Sequence, residues 1–197
     1  MPPVRTHPDR TPPGPAPPGP APARLVLGID PDVERPGVAV YDPQAHRLVF
    51  CGAVPLRRLV AWLRDGAAPA RLPGPRGADA DARTGAALAL ACVEDTRDRP
   101  LYARHRAAAA SPAARDRMAR SVGRLDEVTR LLLDELVDAG IPARSCSPVR
   151  KLDADAFARL TGYAGRTGQE ARDAGALCFG VAAPDRHAPG RAGLRGG

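Results

Sequence analysis

Two short apolar runs in this chain each end on a carboxylate, and that pairing restricts the fold more than any other feature. The first is Arg24-Leu-Val-Leu-Gly-Ile-Asp30; the second is Ala86-Ala-Leu-Ala-Leu-Ala-Cys-Val-Glu94. Runs this short suit buried strands better than core helices. The alanines of the second run also suit a helix, but its loop-like flank and the β-branched Val93 favour a strand. A carboxylate at the C-terminal end of a buried strand is poorly solvated. Two on neighbouring strands repel, a cost that a shared divalent cation offsets.

The rest of the chain can be arranged around those strands. Gly37-Val-Ala-Val-Tyr41 and His46-Arg-Leu-Val-Phe-Cys51 flank the polar Asp42-Pro-Gln-Ala, which reads as a hairpin. Leu56, Leu59, Val60 and Leu63 recur at helical spacing. A loop rich in Ala, Pro, Gly and Asp follows over 66–83. Met118, Val122, Leu125, Val128, Leu132 and Leu136 predict a long helix over 112–139, stopped by Gly140. Residues 142–147 predict a short strand, 154–160 a short helix and 167–181 a last helix, with Ala171, Ala174, Leu177, Cys178 and Val181 on its apolar side. The expected class is α/β. Three antiparallel strands come first, then parallel crossovers, giving a five-stranded mixed sheet flanked by helices.

A third source of acids lies in that last helix. Glu170 and Asp173 in Gln169-Glu-Ala-Arg-Asp-Ala are spaced i, i+3 on one face of its first turn. If the helix crosses the first strand, Asp30, Glu94, Glu170 and Asp173 converge. Hard oxygen ligands of this kind suit a pair of Mg²⁺ ions, or Mn²⁺, acting on a phosphodiester. Structural readings exist for three of the four. Asp30 before Pro31 suits a turn, and Glu94 beside Asp95 suits a solvated strand end. Thr167-Gly-Gln-Glu170 suits a capping box in which Glu170 reaches back to the Thr167 amide. Asp173 has no such role, because Asp is a weak helix former and its neighbours are small and apolar.

Composition sets the limits of the domain. Ten of the 23 prolines fall in residues 1–23, a segment too poor in apolar surface to offset its ordering entropy. It reads as a disordered Pro-rich tail, and 184–197 as a flexible basic tail, leaving one domain at 24–183. No apolar stretch is long enough to span a membrane, and the first residues lack the apolar core of a secretory signal. Cys51, Cys92, Cys146 and Cys178 are too dispersed for a disulfide framework or a zinc site. A soluble, cytoplasmic protein with no membrane partner is expected. The net charge of +7 is unevenly placed: residues 97–130 hold nine arginines against four acids. Such a cluster is what a phosphate backbone needs for counterion release, although an Arg-rich proteome would produce it as a solvated face. Lys151 is the only lysine.

These residues resemble a known family. Leu27-Gly-Ile-Asp-Pro31, the hairpin after it, Val93-Glu-Asp95 and Gln169-Glu-Ala-Arg-Asp-Ala174 together resemble the RuvC branch of the RNase H-like nucleases, in order and in context across nearly all of 24–183. The resemblance implies an RNase H-like fold and a Mg²⁺-dependent homodimer that cuts branched DNA, chiefly Holliday junctions, in recombination and repair. It places the catalytic, metal-holding acids on Asp30, Glu94, Glu170 and Asp173. The segment from Lys151 to Asp173, with Leu160-Thr-Gly-Tyr163, is more similar to RuvC-like proteins of phages and actinobacteria than to the bacterial housekeeping enzyme. The family usually has Gly where this chain has Asp32. An arginine-rich stretch with Tyr102 as its only aromatic replaces the aromatic-bearing loop that helps open the junction. On this reading Arg97, Arg99, Arg104 and Arg106 flank the site as phosphate contacts, and Arg150, Lys151, Arg166 and Arg172 form a second group beside the acidic helix.

Other functions fit less of the chain. A catalytically weak nucleic-acid-binding accessory protein of the same fold shares every feature except the activity. An actin-like kinase or ATPase needs a second phosphate-binding hairpin and about twice the length. An exonuclease of the Asp-x-Glu type would use Asp32, but Pro31 disfavours regular strand geometry there.

Overall fold

The computed structural model describes residues 24–65, 87–95 and 111–182. The expected tails, the loop at 66–83, and Arg97, Arg99, Arg104 and Arg106 lie outside the described residues.

Strand β1 (Arg24–Asp30) is followed by β2 (Gly37–Asp42), β3 (Arg47–Ala53) and helix α1 (Leu56–Arg64). Next come β4 (Ala87–Glu94), α2 (Pro112–Asp138), β5 (Ala143–Cys146), α3 (Ala154–Thr161) and α4 (Gln169–Ala182). The sheet order is β3-β2-β1-β4-β5. β1, β2 and β3 pair antiparallel; β4 pairs parallel to β1, and β5 parallel to β4. This is the RNase H-like arrangement, and the second acid-terminated run is the strand the sequence predicts.

Local chemistry explains the connections. Asp42 Oδ1 accepts the amides of Gln44 and Ala45 at 2.9 and 3.1 Å, which closes the hairpin turn. Ser111 caps α2 by accepting the Ala114 amide at 3.2 Å, with Pro112 at the first helical position. Gly140, at φ +68°, ends that helix in the left-handed conformation. Asp153 caps α3 through the Ala156 amide at 2.7 Å.

The period of two along each strand divides the core between two faces. Leu25, Leu27, Ile29, Ala91 and Val93 meet α1 and α2 through Leu59, Leu63, Val128, Leu132 and Leu136. Val26, Ala39, Tyr41 and Cys92 meet Phe157 of α3 and Ala171, Ala174 and Cys178 of α4 on the other face. Asp30 and Glu94 continue the alternation of Val26 and Cys92, so both belong to the α4 face.

Helix α2 departs from the single buried stripe that its spacing suggests. Val128, Leu132 and Leu136 are buried, whereas Met118, Val122 and Leu125 are only partly covered. The sheet lies under the second half of the helix alone. Arg64 of α1 clamps that half, its Nε 2.8 and 3.0 Å from the two carboxylate oxygens of Glu135.

Candidate active site

The approach of α4 to the sheet brings the four acids together. A Cβ on Gly28 would lie 2.1 Å from Ala174 O, and one on Gly37 would lie 2.0 Å from Glu170 O. Both glycines therefore permit the α4 backbone to rest directly on β1 and β2. Gly37 is the register partner of Asp30. The start of α4, with Glu170 in its first turn and Asp173 just beyond it, is thus laid over the end of β1. The Cys51 thiol reinforces the approach by donating to Ala171 O at 3.1 Å.

Electrostatics report the convergence. The Asp30 carboxyl is pushed up to about 8, first by burial and then by the charges of Glu94, Asp173 and Glu170; Lys151 pulls it down. Asp173, 5% exposed, is also raised by burial, while the Gln169 amide, Lys151 and Arg172 favour its charged form. Residues from β1, β4, α4 and the segment after β5 therefore share one electrostatic site.

The turn reading of Asp30 and the capping-box reading of Glu170 do not fit the geometry. Asp30 is the last residue of β1, and the turn that follows is held by Asp32, whose Oδ1 accepts the amides of Glu34 and Arg35 at 2.9 and 2.7 Å. Helix α4 starts at Gln169, and the Arg172 amide donates to Gly168 O at 3.2 Å. Gly168 thus occupies the N-cap position, and Glu170 stands one residue too early to close a box with Thr167.

The donor set suits a hard divalent cation: carboxylates only, mutually repelling, at least two of them poorly solvated. Among the described residues, however, no three acidic, histidine or cysteine side chains stand in ready metal-holding geometry. The carboxylates would have to turn toward an ion.

Of the predicted phosphate contacts, Arg150, Lys151 and Arg166 are exposed. Arg172, expected in the same group, is half-buried. Its Nε, Nη1 and Nη2 donate to Leu152 O, Thr167 O and Gln169 Oε1 at 3.0, 2.8 and 2.8 Å, so its donors are turned inward. Sequence reasoning assigned no role to Gln169 or to the two glycines. Gly28 did carry a signal, because a glycine inside a strand often marks a close backbone approach.

Among the described residues no helix is long and apolar enough to cross a membrane. No family model matches the chain, and no curated protein matches it. Solved structures similar to it include two of RuvC. One is Thermus thermophilus RuvC in complex with a Holliday junction substrate: 17% identity, TM-score 0.49, covering 79% of this chain and 90% of that one. The other is a Thermus thermophilus RuvC structure: 16% identity, TM-score 0.44, covering 79% and 91%.

Proposed function

We propose that this chain is a metal-dependent endonuclease resembling RuvC, which cuts branched DNA such as Holliday junctions by phosphodiester hydrolysis. The observation that carries the reading is the electrostatic meeting of Asp30 with Glu94, Glu170 and Asp173 at one end of the sheet. Asp30, Glu94, Glu170 and Asp173 would hold two Mg²⁺ ions (or Mn²⁺), which when bound supply charge neutralisation at the phosphate and activation of a water. Asp30 is the central residue of the set, since the other three acids all act on it. The N-terminus of α4 adds a partial positive charge beside the acids and favours an approaching phosphate. Exposed Lys151, Arg150 and Arg166 would contact the phosphate backbone, and Arg97, Arg99, Arg104 and Arg106, which follow β4 in the sequence, are proposed as further contacts. Paired nicking requires two sites, so a homodimer belongs to the proposal. The partly covered Met118, Val122 and Leu125 are its candidate interface.

The test is incubation with Mg²⁺ and labelled four-way junction, flap and linear duplex, followed by mapping of the products. Cleavage at symmetric positions near the branch is expected, and Asp30→Asn should abolish it while DNA binding persists. Mg²⁺-dependent nicking retained by Asp30→Asn would sink the assignment. The lack of a ready-made three-ligand group among the described residues favours a second reading, a catalytically weak accessory protein. Tight junction binding with no cleavage in Mg²⁺ or Mn²⁺ would select it.

A further inference from the structure

Arg172 stands in the first turn of α4, where the partial positive charge of the helix end disfavours a cation. What its guanidinium touches accounts for its presence there. The planar fork presents donors in several directions at once, and three of its nitrogens are used. Nε bonds Leu152 O in the segment after β5, Nη1 bonds Thr167 O in the turn before α4, and Nη2 bonds Gln169 Oε1 within the helix. A single side chain thereby ties together the three segments that surround the acids.

The contact to Gln169 has a directional consequence. A guanidinium has donors only, so it must take the amide oxygen of Gln169. That leaves the amide nitrogen to face the other way, where Nε2 donates to Asp173 Oδ1 at 2.7 Å. A glutamine turned end for end would set a donor against a donor and an oxygen against a carboxylate. Arg172 therefore selects the one orientation of Gln169 in which it can hold Asp173. With Oδ1 held, Oδ2 is the oxygen left for a cation. Leu152 directly follows Lys151, so the Nε bond also anchors the lysine that acts on Asp30 and Asp173.

We infer, on the strength of the nuclease reading above, that Arg172 is a positioning residue: acting through Gln169, it orients the Asp173 carboxylate for divalent-cation binding. Orientation of ligands by outer hydrogen bonds is a general feature of metal sites. The relay is absent from a lysine, which has a point charge but no fork, and from a methionine at 169, which has the length of glutamine but no amide.

The experiment measures Mn²⁺ affinity of the full chain by the electron paramagnetic resonance signal of the free ion, without DNA, alongside the melting temperature. Gln169→Met should weaken Mn²⁺ binding by about 10- to 100-fold, the usual loss for a removed outer-shell partner, with little change in melting. Arg172→Lys should show a similar loss of affinity together with a lower melting temperature, since it also gives up two backbone anchors. A purely structural role would lower the melting temperature of Arg172→Lys and leave Mn²⁺ binding by Gln169→Met at the wild-type level, which would overturn the inference alone. A wild-type chain that takes up no Mn²⁺ would overturn the nuclease reading and this inference with it.

Discussion

Asp30 concentrates the conflict between stability and chemistry in one side chain. Its carboxyl is displaced from 3.8 to about 8 because burial and three acids oppose its charge. Between those values the folded chain binds a proton that the unfolded chain lacks, so stability is highest below 3.8 and is lost as pH rises through about 8. Asn imitates the protonated acid at every pH. In metal-free buffer at pH 9, Asp30→Asn should therefore melt higher than the wild type, by about 4 °C or more for a chain of this length. Below pH 3.8, where the carboxyl is protonated in both folded and unfolded chains, the two should converge. Scanning calorimetry across this range checks the sign, and a mutant advantage that is independent of pH would contradict it. Asp32 shows the limit of reading one residue at a time. Its spacing invites a role in metal binding, yet its Oδ1 serves the turn after β1.

At the scale of elements, the site depends on how closely α4 lies on the sheet. The small residues Ala171, Ala174, Gly175 and Ala176 are all buried, so the helix contributes backbone rather than bulk to the contact. Gly175 leaves room for the ring of Phe157, which comes within 2.7 Å of where its Cβ would be. On the sheet side, the methyl of Gly37→Ala would meet the Glu170 carbonyl, and neither partner is a flexible side chain. The helix must then lift at the end that carries the acids. Gly37→Ala should cost about 1–3 kcal/mol by urea unfolding, the range for overpacking, and should reduce Mg²⁺-dependent cleavage by more than the lost stability explains. Normal cleavage in a destabilised Gly37→Ala chain would show that the position of α4 is not what assembles the site.

Across the whole molecule, opposite charges are arranged around one end of the sheet. The proposed acids are carried by the ends of β1 and β4 and the start of α4. Exposed Arg150, Lys151 and Arg166 belong to the segments that lead from β5 into α4. If these cations meet a phosphate backbone, each releases counterions. Substituting any one of them with Gln should reduce the slope of log affinity against log salt by about 1, uniformly across DNA sequences. Fluorescence anisotropy on a labelled junction measures this, and an unchanged slope in the triple variant would place the DNA elsewhere. Arg172→Gln should reduce the slope by less, because each of its three nitrogens already makes a hydrogen bond within the protein.

Much of this architecture was legible in the chain before any coordinates. The apolar runs, the hairpin turn and the heptad-like spacing of 118–136 report local burial, and local burial depends on residue type and period alone. Three of the four proposed acids stood out for the same reason: a carboxylate at the end of an apolar strand, or an Asp among alanines, contradicts its surroundings, whereas Glu170 also suited a helix cap. What the one-dimensional pattern could not contain was which faces meet. Gly28 and Gly37 act only because a helix more than a hundred residues later rests on them. Arg172 looks like any surface cation until the carbonyls of Leu152 and Thr167 are placed beside it. The stripe of α2 is continuous in sequence, but the sheet is long enough to cover only half of it. Sequence by itself determined the strands and helices and nominated the acids, because those follow from short-range patterning. Only the tertiary structure decided that the acids share one electrostatic neighbourhood and that Arg172 turns toward Leu152, because both bring together groups from separate elements; the relay through Gln169 is local to α4 but is set by that turn of Arg172.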